Sequence, residues 1–254
     1  MSQMKLSVVT IVKNEEKIIE KFLDQLNWVD EIVIVDNGSI DNTVTLAKKY
    51  TSNVYTFSQK HFGKLKQFAL SKATGDWTLV LDADEFISKN LENEIRNVLK
   101  LKSKYIGYQI LRVGYFLNHR LYARGFREYK VRLCKQGSGV ITQVPIHEEL
   151  IVRGKIGRLD GEIRHYSYRS LHQTIVKLTS YACSESTLSS SEKIRVGIKN
   201  FTLYPLHMFW TIFVDDKGYK DGIWGIGLAL CFAYYEFARY YFLLKHKFLS
   251  NPTQ

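Results

Sequence analysis

Proline is scarce, with three in 254 residues, while Tyr (16), Phe (14) and Trp (4) are plentiful; this balance excludes a linker or low-complexity chain and describes a packed, aromatic-rich one. Cysteine is equally sparse. Cys134, Cys183 and Cys231 are odd in number, far apart and in no CxxC pairing, which excludes a disulfide framework and a thiolate zinc site and fits a reducing cytosol. No internal repeat is present. The apolar run within residues 1–12 is too short for a signal peptide, so the chain is expected to stay on the cytoplasmic side. Glycine-rich phosphate cradles of the kinase or P-loop kind are missing, and no Ser/His/Asp set stands out for acyl transfer.

What is present is a globular composition, 45% hydrophobic and 24% charged, at a length that buries a single large core. The formal net charge of +11 is unevenly spread. Residues 1–100 hold 13 basic and 14 acidic side chains, and the remainder holds 23 basic and 11 acidic. A basic half beside a neutral half points to an anionic partner: nucleic acid, acidic lipid headgroups or a phosphorylated glycolipid.

The first hundred residues read as alternating strands and helices. Leu6 to Val12 is a short β-rich apolar run, as expected of a strand covered on both faces. Asn14 is placed to cap a helix carrying Ile18, Ile19, Phe22, Leu23 and Leu26 at helical spacing. Strands are expected at Glu31 to Val35, around Val54 to Phe57 and at Thr78 to Leu81, with helices at Thr43 to Tyr50 and Phe62 to Ala73. That order predicts right-handed crossovers and a mostly parallel sheet, whose ligands sit at the carboxyl ends of the strands, where Asp36 and Asp82 fall. After Lys100 the runs at Ile106 to Val113, Lys130 to Cys134 and Ile146 to Val152 read as an antiparallel extension. A helix is expected over Ser170 to Ser189.

The segment with the most chemistry is Leu79-Val80-Leu81-Asp82-Ala83-Asp84-Glu85. Alternation at the carboxyl end of the strand puts Asp82 and Asp84 on one side. Two hard oxygen ligands so close suit Mg²⁺ or Mn²⁺ whose remaining positions go to water and a substrate diphosphate. The plainer alternative is that these acids cap a helix beginning near Asn90.

Val9-Thr10-Ile11-Val12-Lys13-Asn14-Glu15, Val35-Asp36-Asn37-Gly38-Ser39-Ile40-Asp41-Asn42-Thr43 and Leu81-Asp82-Ala83-Asp84-Glu85 follow one another at successive strand ends. Together they resemble the family 2 glycosyltransferases of the GT-A fold, an α/β class with a Rossmann-like, mostly parallel sheet and an antiparallel extension. The resemblance implies a UDP-sugar donor and a Mg²⁺ or Mn²⁺ cofactor. It implies that Thr10 and Asp36 line the base and ribose pocket, with Asn14 and Ser39 in the same motifs, that Asp82 faces ribose and metal, and that Asp84 binds the metal. Asp36 has a plainer role open to it, capping the Asn37-Gly38-Ser39 turn. Lys64 and Lys66 fall where the family carries a basic stretch near the phosphates, although a solvated helix face explains them equally.

Pro145-Ile146-His147-Glu148-Glu149, Arg164-His165-Tyr166-Ser167-Tyr168-Arg169-Ser170 and a closing Lys220-Asp221-Gly222 are similar to a narrower branch, the bacterial lipopolysaccharide-core glucosyltransferases. This implies an inverting transfer of a hexose, glucose by the branch, onto a lipid-linked core saccharide. The reaction needs one carboxylate to deprotonate the acceptor hydroxyl. Glu148 and Glu149 are the candidates; alternation lets only one face the pocket, and Glu148 is taken as that one, against a surface carboxylate paired with Arg153 or another basic residue. His165 is a candidate third metal ligand, against a packing role, and Arg164 or Arg169 a candidate for the diphosphate.

Neither apolar stretch near the end, Phe201 to Val214 or Ile223 to Tyr235, reaches the roughly 18–20 residues of a membrane span. Glu236 and Arg239 end the apolar run of the second. With Trp210, Trp224, Tyr234, Tyr235, Tyr240, Tyr241 and a Lys245-His246-Lys247 end, an in-plane helix on an anionic membrane surface is expected, with packing into a protein core as the alternative. The expected division is a transferase domain over 1–195, with its nucleotide-sugar part about 1–100 and its acceptor part about 101–195, and a helical tail over 196–254. The whole would be peripheral on the inner face of a bacterial inner membrane. Rival readings are a polyprenyl-phosphate sugar synthase of the same fold, a metal-free nucleotide-binding scaffold and a basic nucleic-acid-binding protein. The last is disfavoured by acidic strand ends, so no nucleic-acid partner is expected.

Overall fold

The computed structural model describes residues 4–59, 61–101, 103–143, 148–189 and 196–250. In chain order the elements are β1 (Leu6–Val12), α1 (Ile19–Asp24), β2 (Glu31–Asp36), α2 (Thr43–Ala47), β3 (Val54–Thr56), α3 (Phe62–Lys72), β4 (Trp77–Val80), β5 (Glu85–Ile87) and α4 (Lys89–Lys100). There follow β6 (Gly107–Phe116), β7 (His119–Arg120), β8 (Arg127–Lys135), β9 (Gly139–Ile141), β10 (Leu150–Val152), β11 (Ile156–Tyr168), α5 (Leu171–Ser189), α6 (Ile198–Trp210) and α7 (Ile223–Ser250).

The main sheet runs β3-β2-β1-β4-β8-β6-β11-β5. Pairings among β3, β2, β1 and β4 are parallel, whereas β4 meets β8 and β11 meets β5 antiparallel, so the α/β fold with an antiparallel extension expected of the sequence is present. β1 is buried along almost its whole length because both faces are covered. Its alternate residues separate two cores. Leu6, Val8 and Val12 join Phe22, Trp77 and Leu91 on one face, and Val9 joins Val33, Val35 and Leu65 on the other. The parallel register sets Val12 against Asp36, so the two strand ends lie side by side. β9 and β10 form a separate antiparallel ribbon.

Two compact units are evident: Met1–Arg112 with Tyr129–His165, and Val113–Glu128 with Tyr166–Gln254. In the second, Phe116, Leu121, Leu178, Ile212, Leu228, Ala229 and Cys231 form a core. The path from α6 to α7 is a π-helical turn at Thr211–Asp215, Lys217 in the left-handed region (φ 62°) and a 3-10 turn at Gly218–Asp221. Asp221 accepts from the Tyr122 and Ala123 amides at 2.8 and 2.9 Å, which gives the Asp-Gly pair of the sequence a structural task. Gly225 lies directly on the Gly218 carbonyl, where any Cβ would collide.

Two local expectations are corrected. Asn14 caps no helix: α1 begins after Ile18, and Asn14 itself takes φ 55°. Asp82-Ala83-Asp84 is a turn, since β4 stops at Val80, so strand alternation does not govern the two carboxylates. α7 runs on through Glu236 and Arg239, where its apolar run ends. Glu236 is buried, and its Oε1 takes a 2.6 Å bond from Arg239 Nη2, whose other Nη lies 4.0 Å from Glu185 on α5; the charges satisfy one another inside the packing. No helix among the described residues is long and apolar enough to cross a membrane.

Candidate active site

The carboxyl ends of β1 and β2 are joined by hydrogen bonds between their loops. The left-handed backbone of Asn14 lets its Oδ1 accept from the Ile40 amide at 2.9 Å, and its own amide donates to Ser39 Oγ at 2.9 Å. The Glu15 amide donates to Thr43 Oγ1 at 2.7 Å. Asp36 is buried and accepts from the Gly38 and Ser39 amides, each at 3.1 Å, so the turn-capping role is real; the left-handed turn residue is Gly38, at φ 78°. Thr10 and Asp36 share one face of adjacent strands by register. The Thr10 hydroxyl is buried there without a hydrogen-bond partner, an arrangement folded proteins normally avoid.

The end of β4 is organised around charge. The turn closes with the Glu85 amide on the Asp82 carbonyl at 2.9 Å, while the Asp82 amide donates to Glu85 Oε2 at 3.0 Å. Glu85 is fully buried, and Arg132 Nη2 meets its other oxygen at 2.7 Å, with Arg112 Nη1 at 3.6 Å. Arg132 stands on β8 one step beyond the Leu79–Leu133 pair, which puts its guanidinium over the turn, 3.4 Å from Asp82 Oδ2. Asp82 Oδ1 takes the Lys66 ammonium at 2.7 Å, and the same ammonium lies 2.8 Å from Glu148 Oε1. Burial alone would raise the Asp82 pKa, yet Lys66 and Arg132 outweigh it and hold the carboxyl well below the usual range. For Lys66, burial acts to lower the pKa, and Asp82 and Glu148 more than offset it, leaving the ammonium above its ordinary value.

The sequence-predicted residues thus divide. Lys66, Asp82 and Glu148 come together, and Asp84 meets His165, Oδ2 to Nε2 3.3 Å, because β11 pairs with β5 so that His165 faces Glu85. Asn14, Asp36 and Ser39 gather at the β1 and β2 ends. Lys64 points to solvent on α3, Glu149 is exposed beyond its neighbour, and Arg164 is 44% exposed with its Nε 3.6 Å from Glu162. Ser88 caps α4 by accepting from Leu91 at 3.2 Å, so neither Asp82 nor Asp84 serves that helix. Pro145, Ile146 and His147 lie outside the described residues. Arg132, Arg112 and the buried role of Glu85 were missed; the available signal was an arginine inside an otherwise apolar strand pattern.

Among the described residues no group of three or more His, Cys, Asp or Glu side chains is gathered as a metal site. The donors nevertheless suit a hard dication that takes one or two carboxylates and leaves its other positions to water and phosphate. Asp82 already holds a cation, the Lys66 ammonium, at one oxygen.

The directions of the Asp82 and Lys66 shifts fix a pH dependence for the metal-free protein. A carboxyl depressed on folding contributes stability above its unfolded pKa of about 3.9, lost as pH falls through the folded value. An amine raised on folding contributes below about 10.4, lost as pH rises through its folded value. Urea unfolding in chelator is therefore expected to show Asp82→Asn less stable than wild type at neutral pH, with the gap shrinking as pH drops below about 4. A gap independent of pH would contradict the ion-pair assignment.

Residues 7–148, more than half of the chain, match Glycosyl transferase family 2. A lipopolysaccharide core biosynthesis glycosyltransferase, LpsC, of Rhizobium meliloti (strain 1021) is 27% identical over 89% of this chain and 85% of its own length. An uncharacterized glycosyltransferase of Rickettsia prowazekii (strain Madrid E) is 30% identical over 98% and 89%. Glucosyl-3-phosphoglycerate synthase from Mycobacterium tuberculosis, solved with Mg²⁺ and UDP, superposes at TM-score 0.45 and 15% identity over 76% of this chain and 81% of that one, a level at which no residue role transfers. The family match over residues 7–148 and the two sequence relatives make the chain a glycosyltransferase, and it belongs to glycosyl transferase family 2.

Proposed function

We propose that this glycosyltransferase moves a hexose, glucose, from a UDP-sugar to the core saccharide of a lipopolysaccharide or lipooligosaccharide, with inversion at the anomeric carbon. The observation that carries the reading is the buried, unpartnered Thr10 hydroxyl beside Asp36 at the same sheet edge where Lys66, Asp82 and Glu148 converge. A polar atom left open inside a strand pair can take a hydrogen bond from a ligand, and a nucleobase and ribose supply both donors and acceptors. The acceptor class comes from the likeness to LpsC, and glucose from the resemblance of the downstream motifs to core glucosyltransferases.

In this reading Asp36 and Thr10 hold the nucleoside, and Asn14 and Ser39 keep the two loops at the spacing it needs. Asp82 and Asp84, with His165, would hold Mg²⁺ or Mn²⁺, which when bound offsets charge developing on the leaving nucleoside diphosphate. Arg164, on the exposed side, reaches for phosphate. Glu148 takes the proton from the acceptor hydroxyl as that oxygen attacks the face opposite the nucleotide, and Glu149 is turned away.

The direct test is a transfer and hydrolysis screen across nucleotide sugars with and without Mn²⁺, using core oligosaccharide and polyprenyl phosphate as acceptors. UDP-glucose with core oligosaccharide is expected to be the productive pair, with loss of about 10²-fold or more for Asp84→Ala and Glu148→Gln. Transfer to polyprenyl phosphate alone would replace the acceptor assignment, and metal-independent activity in Asp84→Ala would remove the metal.

The acceptor is lipid-borne, and the second unit carries a face suited to its surface. Ile226, Leu230, Phe237 and Tyr241 on α7 and Leu206 and Trp210 on α6 are all at least 40% exposed, at helical spacings that form stripes. Exposed apolar stripes on a chain with excess lysine and arginine fit in-plane seating on an anionic bilayer, here the inner face of a bacterial inner membrane. Flotation with anionic vesicles is expected to recover the protein at low salt and progressively less at high salt, and less for Leu206→Glu/Leu230→Glu. A protein that never floats, at any salt, would defeat the membrane assignment.

A further inference from the structure

Lys66 is held more tightly than a residue that only meets phosphate needs to be. Its helix is seated rigidly: Gly63 lies flush against the Thr142 carbonyl, where a Cβ would collide with backbone, and Gln67 Oε1 accepts from the Ile141 amide at 2.8 Å. The Cα of Lys66 is therefore fixed, and what remains free to move is a four-carbon stem, the side chain 10% exposed, ending in an ammonium between Asp82 at 2.7 Å and Glu148 at 2.8 Å. Arg132, the other cation at Asp82, is anchored on Glu85 at 2.7 Å and belongs to a strand. One cation at Asp82 is thus fixed and the other is on a tether.

The carboxylates around Lys66 already have cations. Asp82 meets Lys66 and Arg132, Glu148 meets Lys66, and Glu85 meets Arg132 and Arg112, while Asp84 lies against His165 at 3.3 Å. A dication entering alone meets an ammonium on the carboxylate it needs. A dication entering with a diphosphate brings the anion to which that ammonium can turn.

We propose that Lys66 is a placeholder cation. In the donor-free protein its ammonium occupies Asp82 in place of the metal, and it leaves Asp82 for the diphosphate when metal and nucleotide arrive together, so that the free enzyme discriminates against metal alone. The inference rests on the donor reading above and adds to it a role for one residue of this chain.

Removing the charge then has effects of opposite sign on two ligands, which a merely structural role does not produce. Mn²⁺ binding without nucleotide, read by calorimetry and by the loss of the free-ion paramagnetic resonance signal, is expected to tighten about tenfold in Lys66→Met and Lys66→Gln, the scale of one unit charge beside a dication in a partly screened site. UDP binding in saturating Mn²⁺ is expected to weaken about tenfold in the same variants. Lys66→Arg, which keeps the charge, stays near wild type on both. Lys66→Gln removes the charge but keeps an amide donor, so it carries the test if Lys66→Met does not fold. Mn²⁺ affinity unchanged or weakened in a folded Lys66→Gln overturns the proposal while leaving the transferase reading intact. Wild-type protein that takes up no UDP even with Mn²⁺ sinks the donor reading itself and this inference with it.

Discussion

Glu85 is a carboxylate with no solvent at all, and the rest of the site depends on how that burial is compensated. One oxygen accepts from the Asp82 amide and the other from Arg132, so the same side chain fixes the backbone of the turn and the position of the neighbouring guanidinium. Removing either partner from such an arrangement typically costs about 3–5 kcal/mol, because an uncompensated charge remains in a place water cannot reach. The turn is tied from a second side by Gln25, whose amide donates to the Glu85 carbonyl at 3.0 Å and whose oxygen accepts from Ile87 at 2.9 Å. Asp82 and Asp84 therefore leave a rigid turn, even though neither lies in a strand.

Around that point, the fold does what a doubly covered parallel sheet does. Apolar residues alternate between two cores along β1 and β2, and the buried polar residues near the strand starts, Ser7 and Thr78, are hydrogen-bonded. Thr10 is the exception that matters, a hydroxyl two residues inside the end of β1 with no partner of its own. The second unit obeys a different rule. Its helices bury Leu178, Ile212, Leu228 and Cys231, keep the Glu236–Arg239 pair inward and turn aromatic and aliphatic stripes outward.

The parallel half of the fold was legible because its signals are local. Leu6 to Val12 is an uninterrupted apolar run, and β1 has those bounds; β2, α3, β4 and α5 fall within a residue or two of their patterns. That α7 continues through Glu236 and Arg239 was not legible, because Arg239 also reaches towards Glu185, 54 residues earlier on α5. Asn14 was misread as a cap because its side chain serves the Ile40 amide, 26 residues on. In the candidate site, the acidic strand ends and Lys66 were readable from position. Arg132 was not, since its partners are 47 and 50 residues away and only strand pairing brings them together.

In the proposed donor reading the carboxyl ends of β1, β2 and β4, with the start of α3, form one pocket. Hydrogen exchange read by mass spectrometry, on protein alone and with UDP and Mn²⁺, tests it most directly. The account predicts slowed exchange in peptides covering residues 10–15, 36–40, 63–67 and 81–85 together. Protection that misses these segments, or that is confined to the helices of the second unit, would contradict it.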